Sequence, residues 1–435
     1  MLLTVSAALA LAPAMPQQIT HVRRAGLATS RPFVFAPLLD ESAAPPLPFD
    51  PALFGRGAAA TDVDGDSRLD FVISTGTGAV VYRNRGPAGF EDVTATALPA
   101  GLSGTSKPIF GDVDGDGDDD LVLLASAPPD PDVLLRRVGP SGFGPAEPLP
   151  AASTVTSDAE LVDVDGDGDL DLVRSIGASG HANAGGRDTL LINDGSGTFV
   201  PDPVFSAAAW NDPAVPSTGV VSLDANGDGR VDLFITKADS GAVTGSPGAR
   251  NVLLLGTGGG AFNDGSADLP VLEDMSFDAV ATDLDGDGDD DLVVANSVLS
   301  VSGANSGDVL VNQGGAQGGQ LGVFLDRAGA LEEAPSLAES IRLGPVAADV
   351  DLDGRLDVLM RVHDLPPGGE QPLFLGGGLD FRRSTRLRTG TLICAGAVFA
   401  DIDGDGDPDL LITSAGSAAG GTSLGSARLF VNTTR

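Results

Sequence analysis

The stretch DVDGDGDDDLVLL, Asp112–Leu124, sets six carboxylates in nine residues directly against an apolar run. Like charges at that density repel, so the acids need either open water or a cation. Recurrence decides between the two. Related nonapeptides begin at Asp62, Asp112, Asp163, Asp224, Asp283, Asp349 and Asp401, reading DVDGDSRLD, DVDGDGDDD, DVDGDGDLD, DANGDGRVD, DLDGDGDDD, DVDLDGRLD and DIDGDGDPD. One copy would be a weak signal, but seven in register define a frame with acids at positions 1, 3, 5 and 9. Asn226 is the sole departure at those positions.

Successive copies start 50 to 66 residues apart, which is room for about four strands and their loops. A short apolar segment precedes each acid cluster, such as Ala58–Thr61 or Val346–Ala348, and another follows it. Downstream lies a second marker, seen in DTLLINDGSGTF (Asp188–Phe199), NVLLLGTGGGAF (Asn251–Phe262), AVVYRNRGPAGF (Ala79–Phe90) and DVLLRRVGPSGF (Asp132–Phe143). Each reads as a third strand, a Gly-rich turn, and an aromatic that opens a fourth strand. Seven such units predict an all-β fold, a seven-bladed β-propeller of four-stranded antiparallel blades. The last unit stops at its third strand, Ala427–Asn432, so the amino-terminal segment Arg31–Ala36 is expected to complete it and close the ring.

Asp at positions 1, 3, 5 and 9 offers hard oxygen ligands, and Gly at 4 and 6 allows the tight turn that converges them on one point. That chemistry points to Ca²⁺, with a position-7 carbonyl and water completing the shell; Mg²⁺ demands a stricter octahedron. The candidate ligands are Asp62, Asp64, Asp66 and Asp70 in loop 1, Asp112, Asp114, Asp116 and Asp120 in loop 2, and Asp163, Asp165, Asp167 and Asp171 in loop 3. Loop 4 offers Asp224, Asn226, Asp228 and Asp232; loop 5, Asp283, Asp285, Asp287 and Asp291. Loop 6 offers Asp349, Asp351, Asp353 and Asp357; loop 7, Asp401, Asp403, Asp405 and Asp409. An EF-hand also opens with DxDxDG but needs a bidentate Glu at position 12, where this chain has Ile73, Leu123, Arg174, Ile235, Val294, Met360 and Ile412. Loops 2, 3, 5 and 7 should bind most tightly; loop 4 has lost a charge at Asn226, and loop 6 has Leu352 where the others have Gly.

The acid frame, the strand after it and the downstream marker resemble the FG-GAP and VCBS repeat proteins, whose relatives include the integrin alpha-subunit propellers. The resemblance runs over nearly the whole chain after its first residues. It implies structural Ca²⁺ on one face and ligand binding on the other, the latter by analogy with the fold alone.

Composition agrees with a folded, acidic chain. Sixty-one Asp and Glu against 25 Lys and Arg give a net charge of −36, which disfavours nucleic acid as a partner. The 42% hydrophobic content is too high for a disordered acidic tail. The frames hold 33 of the 61 acids, and seven divalent cations would bring the charge to −22. Residues 1–14 (MLLTVSAALALAPA) read as a signal peptide with a small-residue site at Ala12-Pro13-Ala14, although no basic residue precedes the apolar stretch. Residues 15–435 then form a single propeller, secreted, extracellular or at the cell surface, with a periplasmic location as the variant. No later run reaches the roughly 20 apolar residues of a spanning helix. Cys394 stands alone in an apolar segment and reads as a buried thiol.

Catalytic constellations are thin. His21, His181 and His363 are the three histidines, and they are too widely placed to converge. Trp210 could stack on a sugar but fits better as packing in a crossover. The expectation is therefore a monomeric, non-enzymatic binding or adhesion module for a protein or glycan. Recognition would fall on the face of the long Gly/Ser/Ala-rich excursions at 175–187, 238–250, 297–307, 363–371 and 415–426. A polysaccharide lyase or glycosidase on the same scaffold is the alternative, and it would need two carboxylates outside the frames about 5 to 9.5 Å apart in one cleft.

Overall fold

Every residue of the second strand is buried in five of the seven repeats, for example Asp70–Thr75, Asp120–Ala125 and Asp171–Ile176. That explains why the run after each acid frame is continuously apolar rather than alternating: both of its faces meet a neighbouring sheet. The computed structural model describes residues 35–37 and 55–432, apart from 127–129, 141, 151–154, 178–185, 239–248, 273–274, 298–306, 328, 332–341, 363–364, 366–369, 385–386, 388, 390–393 and 415–425. The leader, His21, His181, His363 and most of the long excursions lie outside the described residues.

Seven four-stranded antiparallel sheets follow in chain order: blade 1 (55–92), blade 2 (105–148), blade 3 (156–201), blade 4 (217–264), blade 5 (275–326), blade 6 (342–383) and blade 7 (394–432). Phe35–Pro37 supplies the outer strand of blade 7, pairing Phe35 with Asn432 and Pro37 with Phe430. The expected clasp is therefore present, with residues 31–34 of the anticipated segment outside the described residues. Hydrophobic cores lie between blades. One packs Ile109, Val122 and Leu134 of blade 2 against Leu161, Leu172 and Leu191 of blade 3. Another packs Leu411 and Leu429 of blade 7 against Phe71 and Tyr82 of blade 1, so the ring closes on apolar contact as well as on the clasp. Among the described residues no helix is long and apolar enough to cross a membrane.

One strand assignment needs correction. Phe143 does not open the fourth strand of blade 2, which is Glu147–Pro148. Instead Phe143 makes an isolated bridge to Arg137, donates its amide at 2.8 Å to the carbonyl of Ala97 in the helical turn Thr94–Ala97 after blade 1, and buries its ring in the core between blades 1 and 2. That interblade packing outweighs the hairpin signal of the Gly-rich turn.

First strands of adjacent blades touch all the way round and so line the axis. Each carries a register shift near its start, as between Thr156 and Asp158 or Ser276 and Asp278. These bulges re-aim side chains toward the axis. Lys107 of blade 2 pairs there with Asp158 of blade 3, and Asp278 of blade 5 with Arg361 of blade 6 at 2.7 Å. Glycines make the room: a Cβ on Gly219 would lie 2.9 Å from Asp278 Oδ1, and one on Gly344 2.2 Å from Arg361 Nη2.

Candidate metal centre

Each acid frame forms the turn between the first and second strands, and its acids hold that turn through backbone amides. In loop 1, Asp62 Oδ1 accepts from the amides of Gly65 (2.7 Å) and Asp66 (3.1 Å), while Oδ2 accepts from Ser67 (2.7 Å). The bond from the position-6 amide to position 1 recurs in all seven loops. Position 5 in turn accepts from the position-7 amide, as in Asp116 from Asp118 and Asp228 from Arg230, both at 3.0 Å. Where the tight-turn glycine is missing the turn is unchanged: Ser67 and Leu352 take positive φ, 68° and 57°. Leu352 stores strain there, since an L side chain is disfavoured in that region.

The position-9 acids Asp70, Asp120, Asp171, Asp232, Asp291, Asp357 and Asp409 are all essentially buried. In every blade Oδ2 accepts from the position-2 amide and Oδ1 from an amide of the third strand or, in blade 2, of Arg137 just beyond it, for example Val164 (3.1 Å) and Asn193 (2.8 Å) on Asp171. This carboxylate thus braces the loop against the sheet. Burial, with the neighbouring loop acids adding to it, pushes Asp70, Asp120 and Asp232 up to about 6, Asp171 and Asp409 to about 7 and Asp291 to about 8, and raises Asp357 well above its ordinary value.

Carboxylate oxygens converge in the way a hard cation requires. One oxygen from each of Asp62, Asp64 and Asp66 lies within 4.8 Å of the others, as do those of Asp112, Asp114 and Asp120, of Asp163, Asp165 and Asp171, of Asp283, Asp285 and Asp287, and of Asp349, Asp351 and Asp353. Position 3 supplies the test of fit: Asp64 Oδ1, Asp114 Oδ1 and Asp351 Oδ1 are buried with no hydrogen-bond partner. A buried carboxylate oxygen without a donor is costly, and a cation removes the cost. The donor set is all oxygen, which suits Ca²⁺ over zinc or copper.

Several participants were not apparent from the acid frame. The asparagine of the downstream marker does more than end a strand. Asn193 Nδ2 of blade 3 donates to the Val113 carbonyl in loop 2 (2.8 Å) and to Leu170 in its own loop (3.1 Å), and its Oδ1 accepts from Gly197 (2.9 Å). Asn84, Asn312 and Asn432 reach the preceding loops at Ile402, Ala225 and Val350, at 2.7 to 2.9 Å. Arg137 reaches the Asp62 carbonyl at 3.2 Å in the same sense. Each of these loops is tied to the next blade. Basic groups also enter: Arg83 pairs with Asp64 at 2.9 Å and Arg136 with Asp114 at 2.9 Å, while the position-7 residues Arg68, Arg230 and Arg355 turn back on the position-5 acids Asp66, Asp228 and Asp353.

On the opposite face a second repeated device appears. Asp132 Oδ2 accepts from Thr156 Oγ1 (2.6 Å) and from buried Arg174 (3.2 Å); Asp188 Oδ2 accepts from Ser217 Oγ (2.7 Å) and buried Lys237 (3.1 Å). Trp210 packs edge-on against Phe205, 5.0 Å between centroids, with the Lys237 ammonium 5.7 Å from its ring, so it serves as packing. Cys394 is buried, and burial pushes its thiol up to about 12. A cleft of about 320 Å³ between the outer strands of blades 2 and 3 contains Glu147, which Arg136 holds at 3.1 Å.

The FG-GAP-like repeat family matches residues 62–123, 163–235 and 224–294. No curated protein matches the chain. Among solved structures, an Agrocybe aegerita lectin described as recognising non-reducing terminal N-acetylglucosamine is similar at 19% identity, over 76% of this chain and 79% of that one, with a TM-score of 0.48. Two structures of BBS1N in complex with ARL6DN, soaked with lead and with mercury, are each similar at 12% identity. The first covers 93% of this chain and 98% of that one with a TM-score of 0.44, the second 88% and 94% with 0.47. The repeats and the seven-bladed ring fit an FG-GAP repeat protein with an integrin-alpha-like propeller.

Proposed function

We propose that this FG-GAP repeat propeller is an exported Ca²⁺-binding module for adhesion or recognition, not an enzyme, with structural cations in its seven acid loops and its ligand on the opposite face. The observation that carries the reading is the buried, partnerless oxygen at position 3 of loops 1, 2 and 6, set among converging carboxylates. Positions 1, 3, 5 and 9 would hold the cation in each loop, with Asn226 contributing an amide oxygen in loop 4. Ca²⁺ supplies positive charge where the fold has gathered acids. At a free concentration about 100-fold above its dissociation constant, it stabilises the fold by about 2.7 kcal/mol per site.

A protein or glycan is the expected ligand, since the net charge of −36 opposes nucleic acid. The test is a screen of immobilised glycans and matrix proteins in millimolar Ca²⁺, run beside polysaccharide turnover assays. Saturable binding without turnover is the expected result. Release of reducing ends or unsaturated sugars would overturn the non-enzymatic reading in favour of a lyase or glycosidase.

A further inference from the structure

Position 7 of the acid frame divides the loops in a way that its sequence variability conceals. Arg68, Arg230 and Arg355 lie over the position-5 acid of their own loops, and Asp118 is exposed. Asp407 behaves otherwise. It is 2% exposed, its Oδ1 is buried with no hydrogen-bond partner, and its carboxylate is in contact with that of Asp405. Asp289 repeats the arrangement in loop 5: both oxygens are buried without a partner, and the carboxylate contacts Asp287. The turn of blade 5 closes over this pair. A Cβ on Gly314 would stand 2.4 Å from Asp289 Oδ2, and one on Gly315 2.2 Å from Asp287 Oδ2.

Asp289 and Asp407 each hold carboxylate oxygen out of reach of water against a second carboxylate, half-buried Asp287 or exposed Asp405, and such a pair needs positive charge beside it. Arginine provides it at the position-5 acids of loops 1, 4 and 6; in loops 5 and 7 no basic side chain is recorded on Asp289 or Asp407 among the described residues. We propose that Asp289 and Asp407 are themselves side-chain ligands of a divalent cation, giving loops 5 and 7 a fifth carboxylate beyond their frames. The inference rests on the reading of the loops as Ca²⁺ sites. Ca²⁺ accepts six to eight oxygens and its affinity is tuned by ligand charge, so these two loops hold the ion most tightly.

The test titrates Ca²⁺ calorimetrically into the metal-stripped full chain and follows thermal melts in Ca²⁺ and in chelator. The variants are Asp407→Asn and Asp289→Asn, with exposed Asp118→Asn as the position-7 control and Asp403→Asn as the frame control. Asp407→Asn and Asp289→Asn should each weaken one of the tightest sites by about tenfold. They should also raise the melting temperature in chelator, where repulsion is relieved, and lower it in Ca²⁺; Asp118→Asn should do neither. Wild-type titrations from both variants, or melts lowered equally in Ca²⁺ and chelator, would overturn the assignment. If Asp403→Asn weakens binding and the position-7 variants do not, the position-7 role alone fails. Absence of any Ca²⁺ response in the wild type removes the loop reading and this inference with it.

Discussion

The acids buried along the axis and the far face differ from those of the nine-residue loops in what lies beside them. Asp278 has Arg361, Asp158 has Lys107, Asp132 has Arg174 and Asp188 has Lys237, each a basic side chain in ion-pair contact. The position-9 acids of the loops, equally buried, have backbone amides, and the position-3 acids Asp64, Asp114 and Asp351 each leave one oxygen with no donor. In these four pairs the fold matches a buried or half-buried acid internally, one cation for one anion. Where it concentrates acids its arginines are outnumbered, and the deficit of positive charge recurs at the same frame positions, as the proposed cation sites require.

That contrast can be broken from the far face first. Arg174 is 1% exposed and is held by Asp132, Thr189 and the Pro150 carbonyl. Arg174→Met leaves Asp132 as an unpaired buried charge and should cost about 3–5 kcal/mol in urea unfolding, equally with and without Ca²⁺. A smaller effect is expected on the loop side. Asn193→Ala removes the donor from two buried carbonyls, Val113 and Leu170, and should cost about 1–3 kcal/mol. Because Val113 belongs to loop 2, this loss should be accompanied by weaker Ca²⁺ binding in calorimetry, which Arg174→Met should not show.

The smallest effect is a slope with pH, and its sign separates the two regions. Six of the position-9 acids have folded values of about 6 to 8, above their ordinary 3.8, and Asp357 is raised in the same direction, so the metal-free folded chain holds more protons than the unfolded chain over that window. Stability from this source is complete below about pH 4 and is lost as pH rises toward 8, so chelated protein should become less stable from pH 5 to pH 8. In saturating Ca²⁺ the slope should reverse, because protons compete with the ion for the same oxygens. Denaturant melts at both pH values check the pair of signs.

Much of this was legible in the sequence because each repeat carries its own local signals. The frame marks the first turn, the apolar run marks a strand buried on both faces, and the Gly-rich turn marks the outer hairpin; even the clasp of Phe35–Pro37 onto Phe430–Asn432 followed from a missing fourth strand. Contacts that depend on the ring itself were not legible. Lys107, Asp158, Asp278 and Arg361 span more than 250 residues and meet only because the bulged first strands converge on one axis, where Arg361 reaches in from the second strand of blade 6 past Gly344. Asn193 reads as a turn residue until blade 3 is placed beside loop 2. Position 7 reads as a backbone-carbonyl ligand with a variable side chain until the inward turn of Asp407 and the cover of Gly314 and Gly315 over Asp289 and Asp287 are seen.

The central claim is that the charge deficit of the acid loops is met by bound Ca²⁺. A thermal melt of the full chain in millimolar Ca²⁺ and again in excess chelator tests it most directly. The account predicts a large drop in melting temperature on chelation, restored by adding Ca²⁺ back; an unchanged melting temperature would contradict it.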